Sequence, residues 1–439
     1  MADGITERLI NDLAKLPDLK VMSRSSVFRY KGREVDATTV GAALHVQAVL
    51  SGRVAQRGEN VSVRVELVDA SDGSHLWGEQ YSRSLTDLLP LQTEMTRDVS
   101  RKLRPRISGA DTARPVSTSV TNQEAYRDYL KGRYYVLKTT RPEIDTGISY
   151  FRQAIDIDPS YALAYVGLAD AYRVLAIAGE TPATEELPKA KAAARKAVAI
   201  DDTLAEGHAI LGFVTFWYDW KWSEAESECK HALDLDPNSA DAHEAYAHVL
   251  SYTGRHAEAL AEIRRAADLD PLNVRIGALE GAFLINAGRA NEASAKLGKT
   301  LELEPNYWFA RQYAASAYIE RRMFAEAVAE ARKAQQLSRV STRPTAFLGY
   351  ALAQSGRQEE ARSELEMLLK LSKERYVSPY NIAMIYLGLG CRDETLSWLE
   401  RGYREREPRM VFLESEPKWN TLRADPRFQD LLHRVGFTP

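Results

Sequence analysis

Two kinds of periodicity divide this chain. Up to about residue 108 the apolar positions switch between helical and alternating spacing. Ile5, Leu9, Ile10 and Leu13 recur at helical intervals, and Pro17 marks the end of that helix. Lys20-Val-Met-Ser23 reads as a short strand, and Val35 to Leu44 as a second helix capped by Asp36 or Thr38. Val46 to Gln56 and Val61 to Ala70 flank the turn Arg57-Gly-Glu-Asn60. Within the second run, Val61, Val63, Val65 and Leu67 share one face while Ser62, Arg64 and Glu66 share the other, which predicts a strand with one buried side. His75 to Ser82 follows as the third strand of a meander, and Leu85 to Leu103 as a long helix.

The stretch 109–122 is rich in Ser, Thr, Gly and Pro, lacks periodicity, and reads as a linker. Beyond it nearly every window is helical and a fixed period emerges. Asp236-Pro237, Asp270-Pro271 and Glu304-Pro305 are 34 residues apart. Within the unit Ala240 to Asn273, Gly254 occupies the central turn, and Ala259 and Ala266 stand where a second helix must approach its neighbour closely. Gly288, Ala293 and Pro305 fill the same slots one unit later, and Tyr318, Ala327 and Ala334 follow. A repeated helical hairpin cannot bury its apolar face alone, so stacking is expected. Eight units are predicted within residues 123–408, with about nine extra residues around Gly179 to Glu185, and a helical cap over 409–439. The fold class expected is a small α+β domain at residues 1–108 followed by an all-α right-handed solenoid.

Composition narrows the field. The 439 residues are 27% charged and 45% apolar with a net charge of −3, too balanced for a dedicated nucleic-acid or membrane-surface binder. The most apolar candidate span, Ala162 to Gly179, carries Asp170 and Arg173. Two cysteines, Cys229 and Cys391, exclude a disulfide scaffold and a four-cysteine zinc site. Ala2-Asp3-Gly4 runs directly into an amphipathic segment, so no signal peptide is expected at this start.

Candidate chemistry is sparse. Cys229, His231, His243, His248 and His256 are metal-ligand types, but they map to different helix faces, so packing explains them better and no metal or other cofactor is expected. Ser25, Ser26 and His45 lack a nucleophile elbow and an acid partner. Glu185-Glu186 and Glu359-Glu360 sit on solvated faces. The basic run Arg97, Arg101, Lys102, Arg104 and Arg106 ends a helix, where cations complement the dipole. The aromatic cluster Phe213, Phe216, Trp217, Tyr218, Trp220 and Trp222 is the most distinctive feature. In the repeat register, Phe213, Phe216 and Trp217 fall at first-helix slots facing the concave surface. Asp170, Arg173, Glu244, His248, Tyr252, Gln312, Tyr313, Glu320 and Tyr350 occupy comparable slots. An aromatic surface with mixed charge suits an extended or helical peptide segment.

The repeat residues from 125 to 408 resemble the tetratricopeptide (TPR) family. The stretches Asp3-Gly-Ile-Thr-Glu-Arg-Leu9, Val21-Met-Ser-Arg-Ser-Ser-Val27, Tyr30-Lys-Gly32, Val49-Leu-Ser-Gly-Arg-Val54, Val65-Glu-Leu-Val-Asp-Ala70 and Leu76-Trp-Gly-Glu79 resemble, in order and spacing, the TolB amino-terminal-like domain. Leu422-Arg-Ala-Asp-Pro-Arg-Phe428 resembles the tail that closes such arrays. The TolB-like family places a strand before the Asp-Gly helix, and this chain starts at the helix. That difference predicts a truncated domain with an open edge at Lys20 to Ser23.

The resemblance implies a bacterial signalling or regulatory protein that binds a protein or peptide partner in the TPR groove without catalysis. It also implies two alternatives: the regulatory half of a serine/threonine kinase or adenylate cyclase, or that of a winged-helix transcriptional regulator. The chain carries no Gly-rich phosphate loop, His-Arg-Asp catalytic loop or Asp-Phe-Gly. The lysine and asparagine set that grips a carboxylate tail in chaperone-binding relatives is also absent. Either side of the bacterial inner membrane is compatible with this layout.

Overall fold

The computed structural model describes residues 2–14, 19–58, 60–84, 88–103, 122–136, 140–178, 181–338 and 341–437. Pro17, nearly all of the expected linker, Gly179 and Glu180 of the expected insertion, and Arg104 and Arg106 of the basic run lie outside them.

Near the amino terminus, β1 (Ala48–Arg57), β2 (Asn60–Asp69) and β3 (His75–Ser84) form an antiparallel meander in that order. Val63 pairs with Val54 on one side and Tyr81 on the other. The alternation in β2 does what its spacing requires: Val61, Val63, Val65 and Leu67 are buried, and Arg64 is exposed. They pack with Ile5 and Leu9 of α1 (Ala2–Ala14) and with Leu91 and Met95 of α4 (Leu88–Leu103). Between them lie α2 (Arg24–Phe28) and α3 (Ala37–Leu44), the latter capped by Asp36, which accepts from the Thr39 amide at 2.8 Å.

The expected strand at Lys20 to Ser23 is not formed. Its residues are committed elsewhere. Met22 is buried beside Val40 and Leu44, with Leu272 packed on the same cluster. The Ser23 amide donates to the Leu269 carbonyl at 3.1 Å. This segment is therefore a docking strap onto the helical array, not a sheet edge.

Eight helix pairs follow: α5 (Gln123–Val136) with α6 (Arg141–Ile157), α7 (Ala162–Ala178) with α8 (Ala183–Ile200), α9 (Ala205–Val214) with α10 (Trp222–Leu235), and α11 (Ala240–Tyr252) with α12 (His256–Leu269). Then come α13 (Val274–Asn286) with α14 (Ala290–Leu303), α15 (Trp308–Glu320) with α16 (Phe324–Leu337), α17 (Arg343–Gln354) with α18 (Gln358–Leu371), and α19 (Pro379–Gly388) with α20 (Arg392–Arg404). Ala259, Ala266, Ala293, Ala327 and Ala334 are fully buried, as close second-helix packing demands. Gly254 and Gly288 take φ of 84° and 73° in the central turns, a left-handed conformation that glycine adopts without steric cost.

Two features depart from a regular array. After α9, residues Thr215–Asp219 form a π-helical turn that ends at Trp220 with φ 57°. The end of the chain is also more than a helical cap. Pro408–Phe412 and Pro417–Leu422 form 3-10 turns before α21 (Pro426–Val435), and these elements return to the third pair. Trp217 meets Phe412 at 5.3 Å between ring centroids, Trp220 stacks on Tyr403 at 5.4 Å, and Trp222 stacks on Phe437 at 5.0 Å. Trp222 Nε1 also donates to the Gly436 carbonyl at 2.7 Å. The aromatic cluster of the third pair is thus the seat on which the array closes.

Candidate inner-wall site

First helices of successive pairs line the inner wall, because each second helix packs outward against its neighbours. The returning segment covers part of that wall. A cavity of about 110 Å3 remains between them. Arg173, Phe213, Trp217, Glu244, His248 and Tyr313 all line it. These six were expected from the repeat register.

The remaining expected positions are distributed differently. Asp170 holds Arg173, whose Nη2 donates to Oδ1 at 2.6 Å. Tyr252 lies behind the cavity, its ring 4.5 Å from Phe412. Gln312 is completely buried with neither amide atom hydrogen-bonded. Tyr313, Glu320 and Tyr350 line a second, smaller space of about 20 Å3 beside Glu416, Pro417 and Lys418. Phe216, expected on the groove beside Trp217, lies in the π-helical turn and is instead completely buried in the core against Trp222 and Tyr252.

Sequence reasoning missed Arg275, Phe309 and Arg343, which also line the larger cavity. They share a signal that was available: Asp241, Arg275, Phe309 and Arg343 occupy one repeat slot, 34 residues apart, at or beside the start of successive first helices. Neighbours along this row interact. Arg275 pairs with Asp241 at 3.4 Å and with Glu244, while the Arg343 guanidinium lies 5.2 Å from the Phe309 ring centroid. Tyr376, between α18 and α19, and Glu407, Arg409 and Phe412, after α20, also line it.

The electrostatics follow from enclosure. Burial, followed by the nearby charges of Arg275, Arg343 and Arg173, pushes the His248 imidazole down to about 3, so it is neutral at pH 7. Burial pushes the Glu244 carboxyl up against the pull of Arg275. Burial alone would depress Arg275, but Glu244 and Asp241 hold its pKa above the usual arginine value. His248 Nδ1, Glu244 Oε2 and Trp217 Nε1 are buried without hydrogen-bond partners among the described residues. These groups can orient a ligand.

The other chemistry candidates do not converge. Cys229 is packed beneath Gly212, and burial pushes its thiol up to about 12. His243 is held by Glu262 at 2.5 Å and by the Pro237 carbonyl at 3.0 Å. Among the described residues, no group of three or more His, Cys, Asp or Glu side chains is placed to hold a metal ion. No described helix is long and apolar enough to cross a membrane. Ser26 is structural: its Oγ donates to Asp270 Oδ1 at 2.5 Å and accepts from the Leu272 amide at 3.2 Å.

Comparison with known proteins agrees with this architecture. Residues 228–261 match a tetratricopeptide repeat family, and residues 1–97 match the family described as HilA/YgeH-like transcriptional regulator, second domain. A curated protein of Rhizobium meliloti (strain 1021), named "Putative adenylate cyclase 3", is 33% identical over 223 residues, which are 49% of this chain and 37% of that protein. The chain therefore spans little more than a third of that relative's length. Among solved structures, a monomeric IFIT1 mutant with m7Gppp-AAAA is 14% identical and covers 79% of this chain and 76% of its own, with a TM-score of 0.53. The TPR protein YrrB, described as having an unusual peptide-binding site, is 22% identical and covers 43% of this chain and 92% of its own, with a TM-score of 0.31. The fold is a small antiparallel sheet domain joined to a TPR-type helical solenoid.

Proposed function

We propose that this chain is a non-catalytic interaction module of a bacterial signalling or regulatory protein, and that its inner wall binds a partner segment. The observation that carries this reading is intramolecular. The wall already seats a short segment of the chain itself, Pro408–Phe412, through the aromatic anchor Phe412 against Trp217 and Tyr252. Anchoring a segment by a buried aromatic side chain is how such surfaces achieve affinity. In this reading the amino-terminal part is a TolB-like second interaction or sensory module, tied to the array through Ser26 and Asp270.

A second reading concerns the whole protein. Identity with the Rhizobium meliloti protein supports a role as the regulatory portion of an adenylate cyclase. The match of residues 1–97 supports instead the regulatory portion of a transcriptional regulator. The coding frame around this sequence separates the two: a class III cyclase domain or a winged-helix domain in that frame decides between them.

The interaction reading is tested with the full chain immobilised against extract of its source cells. One saturable partner is expected, whose capture falls at least about fivefold in Trp217→Ala. The control Met367→Ala, altered at an exposed position on the second helix of its pair, should capture normally. Undiminished capture by Trp217→Ala would remove the inner wall from the reading. Turnover of nucleotide by the purified chain would remove the non-catalytic part.

A further inference from the structure

We propose that the larger inner-wall cavity is a binding site for a small aromatic carboxylic acid. This goes beyond partner recognition: it concerns the space that remains with the chain's own segment in place.

Charge bookkeeping selects the head group. Four arginines line the cavity. Arg173 is neutralised by Asp170, Arg275 by Asp241 and Glu244, and Arg409 by Glu407, whose Oε1 accepts from Nη1 at 2.8 Å. Arg343 is different. No carboxylate lies within ion-pair distance of it among the described residues, and its guanidinium donates from Nη2 to Tyr313 Oη at 2.8 Å. Its guanidinium sits 5.2, 5.3 and 5.8 Å from the ring centroids of Phe309, Tyr313 and Phe347. A guanidinium with its fork unfilled, in a partly dehydrated aromatic setting, is a receptor for one carboxylate-type anion.

The walls select the body. Phe213 and Trp217 stack at 5.5 Å, and Phe412 meets Trp217 edge-on, giving the cavity flat apolar faces. The unpaired atoms select the remaining feature. Glu244 and His248 are each only 6% exposed, and each presents a hydrogen-bonding atom with no partner among the described residues. Leaving such atoms buried and unmet is costly, so a polar N–H on the ligand satisfies them. The cavity's roof, made by Tyr376 and Pro408 to Phe412, favours a compact acid over a continuous chain.

The test is calorimetric titration of the full chain with indole-3-acetate, indole-3-acetamide and the tripeptide acid acetyl-Ala-Ala-Trp. The acid should bind saturably and at least about tenfold tighter than its uncharged amide. Arg343→Gln should abolish that preference, and Arg343→Lys should retain part of it. Absence of saturable acid binding, or equal binding of acid and amide, overturns the proposal, and this comparison needs only the native protein. Binding of the tripeptide alone also overturns it, in favour of a protein carboxy terminus. Any of these failures leaves partner capture, and its dependence on Trp217, as a separate measurement.

Discussion

Phe412 and Tyr252 lie with ring centroids 4.5 Å apart, one on the returning segment and the other on α11, and both side chains are almost wholly buried. Phe412 also meets Trp217 and Tyr380, so a single ring joins the third, fourth and eighth pairs. Phe412→Ala leaves a cavity among these partners. It should cost about 3–5 kcal/mol, read from the urea midpoint at unchanged slope.

Ending the chain at Arg404 removes Phe412, Trp419 and Phe428, all buried, and strips partners from Trp217 and Trp222. The loss should exceed about 5 kcal/mol, with a broadened unfolding transition and increased binding of an apolar dye. A shortened chain that melts as sharply and as late as the full one would show that the returning segment contributes nothing to the array.

Ser26 links the amino-terminal part to the fourth pair through two hydrogen bonds in a fully buried position. Ser26→Ala leaves the Leu272 amide and the Asp270 carboxylate short of a partner. A cost of about 1–3 kcal/mol is expected, with faster hydrogen exchange at Ser23 and Leu272. Unchanged exchange at those amides would show that the strap does not depend on this residue.

His248 supplies a pH signature. The unfolded chain takes up this proton near 6.5, whereas the folded chain refuses it until about 3. Protons therefore favour the unfolded state between those values, and stability falls as pH drops from 6.5 towards 3, at up to about 1.4 kcal/mol per unit from this group. The raised Glu244 carboxyl acts in the opposite sense, while Arg275 and Arg343 stay charged throughout. The informative quantity is thus the difference in acid sensitivity between the native protein and His248→Gln. The variant should lose less stability from pH 6.5 to pH 4. Equal losses would show that His248 titrates normally.

The repeats were legible because their determinants are local and recurrent. Ala259, Ala266 and Ala293 announce close packing, and Pro237, Pro271 and Pro305 announce exits, at an interval that chance would not sustain. The meander was legible because β2 alternates cleanly. Lys20 to Ser23 was misread because its apolar residues serve a docking strap, and nothing nearby encodes the Leu269 carbonyl that takes the Ser23 amide. Phe216 departs from its expected groove position because the repeat register assumes a regular helix, whereas Thr215–Asp219 form a wider π-helical turn, in which a one-residue offset rotates a side chain by about 100°. Arg343 was within reach of the sequence, since it continues the row of Asp241, Arg275 and Phe309. Its importance depends on having no carboxylate within ion-pair distance among the described residues, which only folding reveals. Closure of the array was beyond reach, because Trp222 and Gly436 meet only through the accumulated curvature of five intervening hairpins.

An open coil of hairpins lengthens by a small turn at every joint, and it frays from whichever tip is free. Here the trailing tip is buckled onto the middle, leaving the third to eighth pairs in a loop and the first two outside it. The leading end is fastened as well, since the strap at Met22 to Ser26 docks on Leu269 to Leu272 of the fourth pair. Under tension both buckles must open before single pairs can peel away, so the chain behaves as two clasped loops sharing their middle, not as a uniform spring.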